Sequence, residues 1–386
     1  MTEDKTDAAS LLEEIGKALA AASGIIPRMH THPQNSPLRR VVVGMSGGVD
    51  SAVAAALLLE AGFEVHGVTL QLWQAPFVAE SPPQVQAIAD ALQLPLTVLD
   101  LRERFFREVV VPWMETYARG RTPNPCVSCN PTLKFAALLE TADRLDAPWV
   151  ATGHYARVTV ETDGSVALRQ ARALQRDQSY MLYRLSQAQL TRLQLPLGEV
   201  ADKAKVRAHA ARLGLPNAGQ SDSQDLCFLK GGDYRMLLQQ LLPERLTPGP
   251  IVDRSGREIG RHAGLPLYTV GQRSGLGLAL GTPYYVLELR PQDHALVVGP
   301  AEALLRTACR LENLTFVRGA PPAPGFDAEA RIRYRAARTP AHLEIEPDQR
   351  ARVTFETPQR GLAPGQSVVF YSGDEVLGGG LISSER

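Results

Sequence analysis

The run Val41-Val42-Val43-Gly44-Met45-Ser46-Gly47-Gly48-Val49-Asp50-Ser51, continued by Ala52-Val53-Ala54-Ala55-Ala56-Leu57-Leu58-Leu59, passes from β-branched residues through glycines into a helix-forming stretch. Its order predicts a buried strand, a tight loop and a helix. Gly47 and Gly48 have no Cβ, so their N–H groups can approach an anion closely. Asp50 or Ser51 is placed to cap a helix whose positive end faces that anion. A phosphate chain is the natural guest. The loop lacks the Gly-Lys-Ser/Thr ending of a kinase or GTPase loop, so it sends no lysine to the β/γ-phosphates, which argues against a kinase or a motor. The alternative, an ordinary strand–turn–helix corner, sits badly with paired glycines flanked by hydroxyls.

Outward from this run, Glu64 to Leu70 is a second strand signal, preceded by Gly62 at the C′ position of the helix. Val85 to Leu92 reads helical, Leu96 to Leu99 extended and Phe105 to Tyr117 helical again. Trp149 to Thr152 is a further strand that ends at Gly153-His154-Tyr155. Such alternation predicts a parallel α/β sheet. Ligands in such sheets gather beyond the carboxyl ends of the strands, so the loop at Ser46, the strand end near Leu70 and Gly153 should line one crevice.

A chain of 386 residues exceeds one ordinary core and suggests about two or three domains. Lysine plus arginine equals aspartate plus glutamate at 41 each, so no global field draws nucleic acid and any RNA site must be local. No apolar run is long enough to cross a bilayer, and Met1-Thr2-Glu3-Asp4-Lys5 lacks the basic start of a secretory signal. The expected location is cytoplasmic. Early acidic residues weigh against a mitochondrial presequence; Leu11, Leu12, Ile15 and Leu19 recur at helical spacing and read as an appended amphipathic helix.

Beyond about residue 230 the character changes to Pro248-Gly249-Pro250, Asp253-Arg254-Ser255-Gly256 and a glycine-dense stretch from Thr269 to Gly277, which predict short strands joined by tight turns. From about residue 301, alternating stretches such as Ala351 to Phe355 and Ser367 to Tyr371 suggest a small antiparallel barrel. In Arg331-Ile332-Arg333-Tyr334-Arg335 a period of two would put three arginines on one strand face, fit either to track phosphates or to meet solvent.

Four cysteines in so long a chain are no disulfide scaffold. Cys126 and Cys129 lie in Gly120-Arg121-Thr122-Pro123-Asn124-Pro125-Cys126-Val127-Ser128-Cys129-Asn130, where two prolines predict a shaped loop. Cys227 lies in the polar, turn-prone Gln220 to Phe228. Structural zinc needs four ligands and would require Cys309, which sits in the distal strand-like Thr307 to Leu311. Two chemistries remain: a three-cysteine iron–sulfur cluster with one open iron, or thiol chemistry in which one cysteine carries a persulfide and another resolves it. Burial as small hydrophobes is the bland reading, and proline-rich, polar surroundings weigh against it.

The pattern Ser-Gly-Gly-x-Asp-Ser resembles the pyrophosphate loop of ATP pyrophosphatases, which adenylate a carbonyl oxygen. Joined to a sulfur nucleophile, such an enzyme would make a thiocarbonyl. With the thiols added, the chain from about Val41 onward resembles the tRNA-specific 2-thiouridylase family. The matching motifs are Gly-Met-Ser-Gly-Gly-Val-Asp-Ser at 44–51, Arg-Thr-Pro-Asn-Pro-Cys-x-x-Cys-Asn at 121–130 with Lys134-Phe135, and Thr-Gly-His-Tyr-Ala-Arg at 152–157. Further matches are Asp-Gln-Ser-Tyr at 177–180, Asp-Ser-Gln-x-x-Cys-Phe at 222–228, Tyr268 to Arg273 with Gly275-Leu276-Gly277, Pro364-Gly365-Gln366 and Gly378-Gly379-Gly380.

The resemblance implies 2-thiouridine formation at the tRNA wobble position with Mg-ATP. It makes Cys129 the nucleophile and Cys227 the carrier of a persulfide received from a cysteine desulfurase or relay protein; attack by Cys129 on that persulfide either frees sulfide or leaves a Cys129–Cys227 disulfide after transfer. Asn124, Pro125 and Cys126 would line the target uracil. Gly44, Met45, Ser46, Gly47, Gly48, Val49, Asp50, Ser51, Leu70 and Gly153 would hold ATP. His154, Arg176, Asp177, Gln178, Arg333, Tyr334 and Gln366 would face tRNA, with glutamate, glutamine and lysine isoacceptors as substrates. Cys126 stands where some members carry an aspartate suited to acid–base work, and this third thiol keeps open a [4Fe-4S] cluster on Cys126, Cys129 and Cys227. Arg176 stands where lysine is common.

The expected architecture is an N-terminal extension over 1–37, helical or disordered, a catalytic α/β domain over 38–228, a central linking domain over 229–300 and a C-terminal β-barrel over 301–386. Two rival functions are an amidating adenylase, which has no use for the three thiols, and a non-catalytic RNA-binding or cluster-carrying module, which would bind RNA without releasing AMP.

Overall fold

Val41, Val42 and Val43 are fully buried because the strand Arg40–Gly44 is central in a sheet covered on both faces, the setting that selects continuous β-branched runs. The computed structural model describes residues 39–73, 84–220, 226–229, 233–278 and 281–384; the helix expected within 1–37 and the segments 74–83 and 221–225 lie outside these. The sheet is parallel throughout, in the order Leu96–Asp100, Glu64–Gln71, Arg40–Gly44, Trp149–Thr152, Leu193–Gln194. From Arg40–Gly44 the chain first builds outward to one side and then returns to the other with Trp149–Thr152. The switch point therefore falls between the strand ends at Gly44 and Thr152, where a ligand crevice opens in such sheets.

Helix Val49–Glu60 is buried nearly all round and ends with Gly62 at φ +78°. The expected helix near Phe105 to Tyr117 exists as Arg102–Phe105, a wider π-turn at Phe106–Val110 and Val111–Ala118.

One expectation fails instructively. The segment around Cys126 is not all loop: Pro125–Cys129 is helical, a π-turn follows at Asn130–Lys134, and the helix runs on through Phe135–Arg144. Pro125 is in the first turn, where its missing N–H costs nothing. Pro131 would clash with the carbonyl four residues back in an α-helix. Widening accommodates it, and the Phe135 N–H bonds to the Asn130 carbonyl five residues earlier.

The middle region forms a four-stranded sheet, Tyr285–Arg290, Ala295–Gly299, Gly249–Val252 and Glu258–His262, joined by helix Tyr234–Leu241, which a turn-rich reading does not anticipate. The last region closes as expected: Leu305–Phe316, Arg350–Arg360, Thr339–Glu346, Gly325–Arg331, Ser367–Ser372 and Glu375–Ile382 pair in sequence, and the last pairs back with the first. Strand pairing does not stop at the sequence boundary. The hairpin Ala156–Val160/Val166–Gln170 from the first region adds to Glu375–Ile382, and Arg157 and Arg169 both bind Asp374. Among the described residues no helix is long and apolar enough to cross a membrane.

Candidate active site

Gly47 takes φ +82° and Gly48 is the extended N-cap of helix Val49–Glu60, so the cap is a glycine and neither Asp50 nor Ser51. Ser51 instead ties the loop to its helix: its Oγ accepts from the Ser46 N–H at 3.1 Å and donates to the Gly48 carbonyl at 3.0 Å. Helix-start N–H groups have no intrahelical acceptor and are available to an anion. Gly153 touches the far side of the helix start, where a Cβ would lie 2.7 Å from Asp50 C and Ser51 N. Leu70 closes the neighbouring strand end, half-buried.

Two residues of this loop's surround, Lys203 and Asn217, carry no signal in the sequence, and a third, Tyr155, belongs to the 152–157 motif. Lys203, buried at the start of helix Lys203–Arg212, forms an ion pair with Asp50, and Tyr155 donates to the same carboxylate oxygen at 2.7 Å. Buried Asn217 donates to the Gly47 carbonyl at 3.0 Å, fixing that peptide plane and hence the direction of the Gly48 N–H. So a lysine does serve this loop, supplied from far along the chain rather than by the loop itself.

The thiols adjoin this half-site. Phe135 lies 5.9 Å from the His154 ring, which follows Gly153, and Lys134 precedes Phe135. Cys126 and Cys129 sit one helical turn apart and share a face. Cys129 is buried in the apolar cluster with Phe105, Trp113, Leu133 and Phe228, so for this thiol the bland reading of burial is the observed one. Burial pushes Cys129 up to about 12 and raises Cys126 as well, outweighing the attraction of the Lys134 ammonium. The apolar site thus keeps both thiols protonated at neutral pH. Burial works to lower the Lys134 pKa, but Cys227, Cys129 and Cys126 around it raise it on balance.

Cys227 is exposed, while its neighbour Phe228 is buried edge-on against Phe105 at 5.8 Å and Trp113 at 5.2 Å. An aromatic anchor thus holds a surface thiol. Phe228→Ala should cost about 3–5 kcal/mol of stability. It should also free the Cys227 segment, as read by melting and by the rate of Cys227 alkylation.

Among the described residues no three His, Cys, Asp or Glu side chains are gathered closely enough to hold a metal ion. With one thiol in an apolar core and another in solvent, the three cysteines do not fit an iron–sulfur cluster here.

The segment leading into Cys126 is clasped by the barrel. Thr122 N–H donates to the Pro364 carbonyl at 2.7 Å, Gln366 Nε2 donates to the Thr122 carbonyl at 2.8 Å, and Arg121 pairs with Glu312. Gln366 therefore positions this loop. Asn124 lies beside Met181 and Pro125 is buried.

Several residues expected to face tRNA have other duties. Asp177 is buried and accepts from Gln170, the Ala171 N–H, Ser179 N–H and Oγ, and Arg331, which leaves it no face for RNA. Its capture of Arg331 also breaks the expected arginine stripe: the strand ends at Arg331, which turns inward, while Arg333 is exposed beyond it. Gln178 is held by Tyr155, whose N–H donates to its Oε1 at 2.9 Å. His154 lies 2.8 Å from Thr152 Oγ1, and burial with the nearby Lys134 charge pulls its pKa down to about 3, so it offers no cation. Tyr334 packs half-buried 6.0 Å from Tyr180, and Arg176 is half-buried at the 174–176 turn.

A glycine phosphate loop at the switch point of a parallel sheet, walled by a thiol-bearing helix, defines a PP-loop protein with two β-domains appended. The sequence matches the tRNA methyl transferase HUP domain over residues 39–231, the tRNA methyl transferase PRC-barrel domain over 235–300 and the aminomethyltransferase beta-barrel domain over 306–382. It is 48% identical over 355 residues to the tRNA-specific 2-thiouridylase MnmA of Chloroflexus aurantiacus, covering 90% of this chain and 99% of that one. To the protein of the same name from Roseiflexus castenholzii it is 46% identical over 372 residues, covering 90% and 100%. The chain belongs to the tRNA-specific 2-thiouridylase family. Among solved structures it is similar to the U34-tRNA thiolase NcsA from Methanococcus maripaludis with its [4Fe-4S] cluster. There the TM-score is 0.35 at 15% identity, over 61% of this chain and 73% of that one.

Proposed function

We propose that this chain thiolates C2 of the wobble uridine, position 34, of tRNA, using Mg-ATP as co-substrate. The observation that carries the reading is the shared wall Lys134-Phe135 and Gly153-His154, which sets the phosphate loop beside the cysteines. The uracil O2 attacks the α-phosphorus of ATP and pyrophosphate leaves, turning a poor leaving group into AMP. N–H groups of Gly47 to Ser51 hold the phosphates, and the Asp50–Lys203 pair sets their surround.

Cys227, being exposed, is suited to receive a sulfane sulfur from a cysteine desulfurase or relay protein. The terminal sulfur of its persulfide bonds to C2 and AMP leaves. The Cys129 thiolate then attacks the Cys227 sulfur, and the electron pair of the broken S–S bond passes to the new thiocarbonyl. The products are 2-thiouridine, AMP, pyrophosphate and a Cys129–Cys227 disulfide, which a dithiol reductant returns to thiols. Cys126, Asn124 and Pro125 border the uracil. A cytoplasmic enzyme and glutamate, glutamine and lysine tRNAs complete this reading.

The test is anaerobic purification with iron and sulfide analysis, followed by thiolation of unmodified tRNA with Mg-ATP and either desulfurase plus cysteine or free sulfide. Iron-free protein should form thiouridine from the desulfurase system, and Cys227→Ser should lose that activity. Activity confined to iron-loaded protein would overturn the persulfide route. AMP-free RNA binding alone would point to a binding module.

A further inference from the structure

The motif Tyr268 to Arg273 has no part in the chemistry above. Its turn is fixed against the strand Tyr285–Arg290: Gly271 N–H donates to the Val286 carbonyl at 2.8 Å, and Val286 N–H returns a bond to the Gln272 carbonyl at 2.9 Å. Gly271 has φ +91°, which a side chain would strain. This fixes exposed Arg273 near Tyr285, whose pKa Arg360 and Arg273 together hold below the ordinary phenol value. Arg360, from the barrel, also lies over the Tyr285 ring at 4.4 Å. The next residue, Gly361, approaches Gly271 closely, with Arg333 Nη1 4.0 Å from where its Cβ would be. Three exposed guanidinium groups from two domains thus meet at one seam.

Elsewhere on the barrel, Arg318 pairs with Glu375, Arg338 with Glu329 and Arg331 with Asp177. Among the described residues, Arg273, Arg333 and Arg360 form no ion pair with a carboxylate. A chain of zero formal net charge thus gathers three guanidinium groups at one seam. The seam also continues to the active site: Gly120 packs on Leu289 and Pro291 of the middle domain, while Thr122, two residues on, bonds to the barrel.

We propose that Arg273 and Arg360, splayed on Tyr285 beside Arg333, which the family resemblance already sets toward tRNA, grip the phosphate backbone of the RNA whose base enters the cysteine site. This rests on the tRNA reading above. Guanidinium forks suit phosphate oxygens bidentately, and a rigid aromatic base lowers the entropy cost of aiming them. Such contacts position without reading sequence, so the grip is indifferent to isoacceptor.

The experiment is binding of unmodified tRNA to the full chain over a series of KCl concentrations. Arg273→Gln with Arg360→Gln should weaken binding and flatten the logarithmic salt slope by about two, one for each phosphate left unneutralised. ATP affinity should be unchanged, and Arg273→Lys with Arg360→Lys should recover the slope. If the double glutamine variant fails to fold, Arg360→Gln alone should flatten the slope by about one. Wild-type slope and affinity in the glutamine variants would overturn the proposal, the arginines then serving only to clamp two domains, while the tRNA reading would stand. Failure of the wild type itself to bind tRNA would overturn both.

Discussion

Gly153→Ala should abolish ATP-dependent turnover while leaving tRNA binding intact. A Cβ at this position falls 2.7 Å from Asp50 C, 2.7 Å from Ser51 N and 2.9 Å from Asp50 O. These are backbone atoms of the first helical turn, so no side-chain rotation relieves the overlap. Either the helix start or the 153–155 loop must move, and both carry bonds that fix the other's position. The Asp50 carboxylate is held by Tyr155 and Lys203, and the Tyr155 N–H is held by Gln178. A displacement of about 1 Å in groups that position reacting atoms costs about a hundredfold in rate. Pyrophosphate release with Mg-ATP and tRNA should fall by at least that factor. Gly219→Ala is the control, since nothing lies within 4 Å of its added Cβ and its φ is not positive. Near-wild-type release from Gly153→Ala would mean that this loop does not carry the nucleotide.

The same contact shows what a sequence can and cannot disclose. The strand, the glycine loop and the helix are legible because each depends on neighbours within a few residues, as is the crevice, which follows from strand order. Lys203 and Asn217 are not. Their partners lie 153 and 170 residues away, and Lys203 stands in an ordinary helix start capped by Asp202. Asp177 misleads for a related reason: a carboxylate in a polar motif looks like a surface group until Arg331, 154 residues on, is seen to neutralise it. Of the two prolines read as breakers before Cys126, Pro123 does lie outside any helix, yet Pro125 stands in the first turn of one, and Pro131 beyond is absorbed by a π-turn, an outcome that depends on packing rather than on local propensity.

Cys129 alkylation in tRNA-free protein should be slow at neutral pH and rise about tenfold per pH unit without a plateau up to pH ~10, because only the thiolate reacts. The cause is its apolar site, where burial pushes the thiol up to about 12 against the usual value near 9. The same shift bears on stability, and its sign is fixed. A group whose neutral form the fold favours contributes stability that is fully present below its unfolded pKa. That contribution disappears as pH rises through the folded pKa. For Cys129 the window is therefore from about 9 to about 12, and the half-buried Cys309, also raised to about 12, adds to the loss over the same range. Melting temperature should fall across that window, and Cys129→Ala should lessen the fall. On the proposed persulfide route, binding of tRNA with ATP works in the opposite direction. To act at neutral pH, Cys129 must leave the apolar cluster or gain the full field of Lys134, which already lies near it. Its alkylation at pH 7 should therefore accelerate in the ternary complex before turnover, and Lys134→Met should remove most of that acceleration. Equal alkylation rates with and without tRNA and ATP would exclude Cys129 as the thiolate that resolves the persulfide.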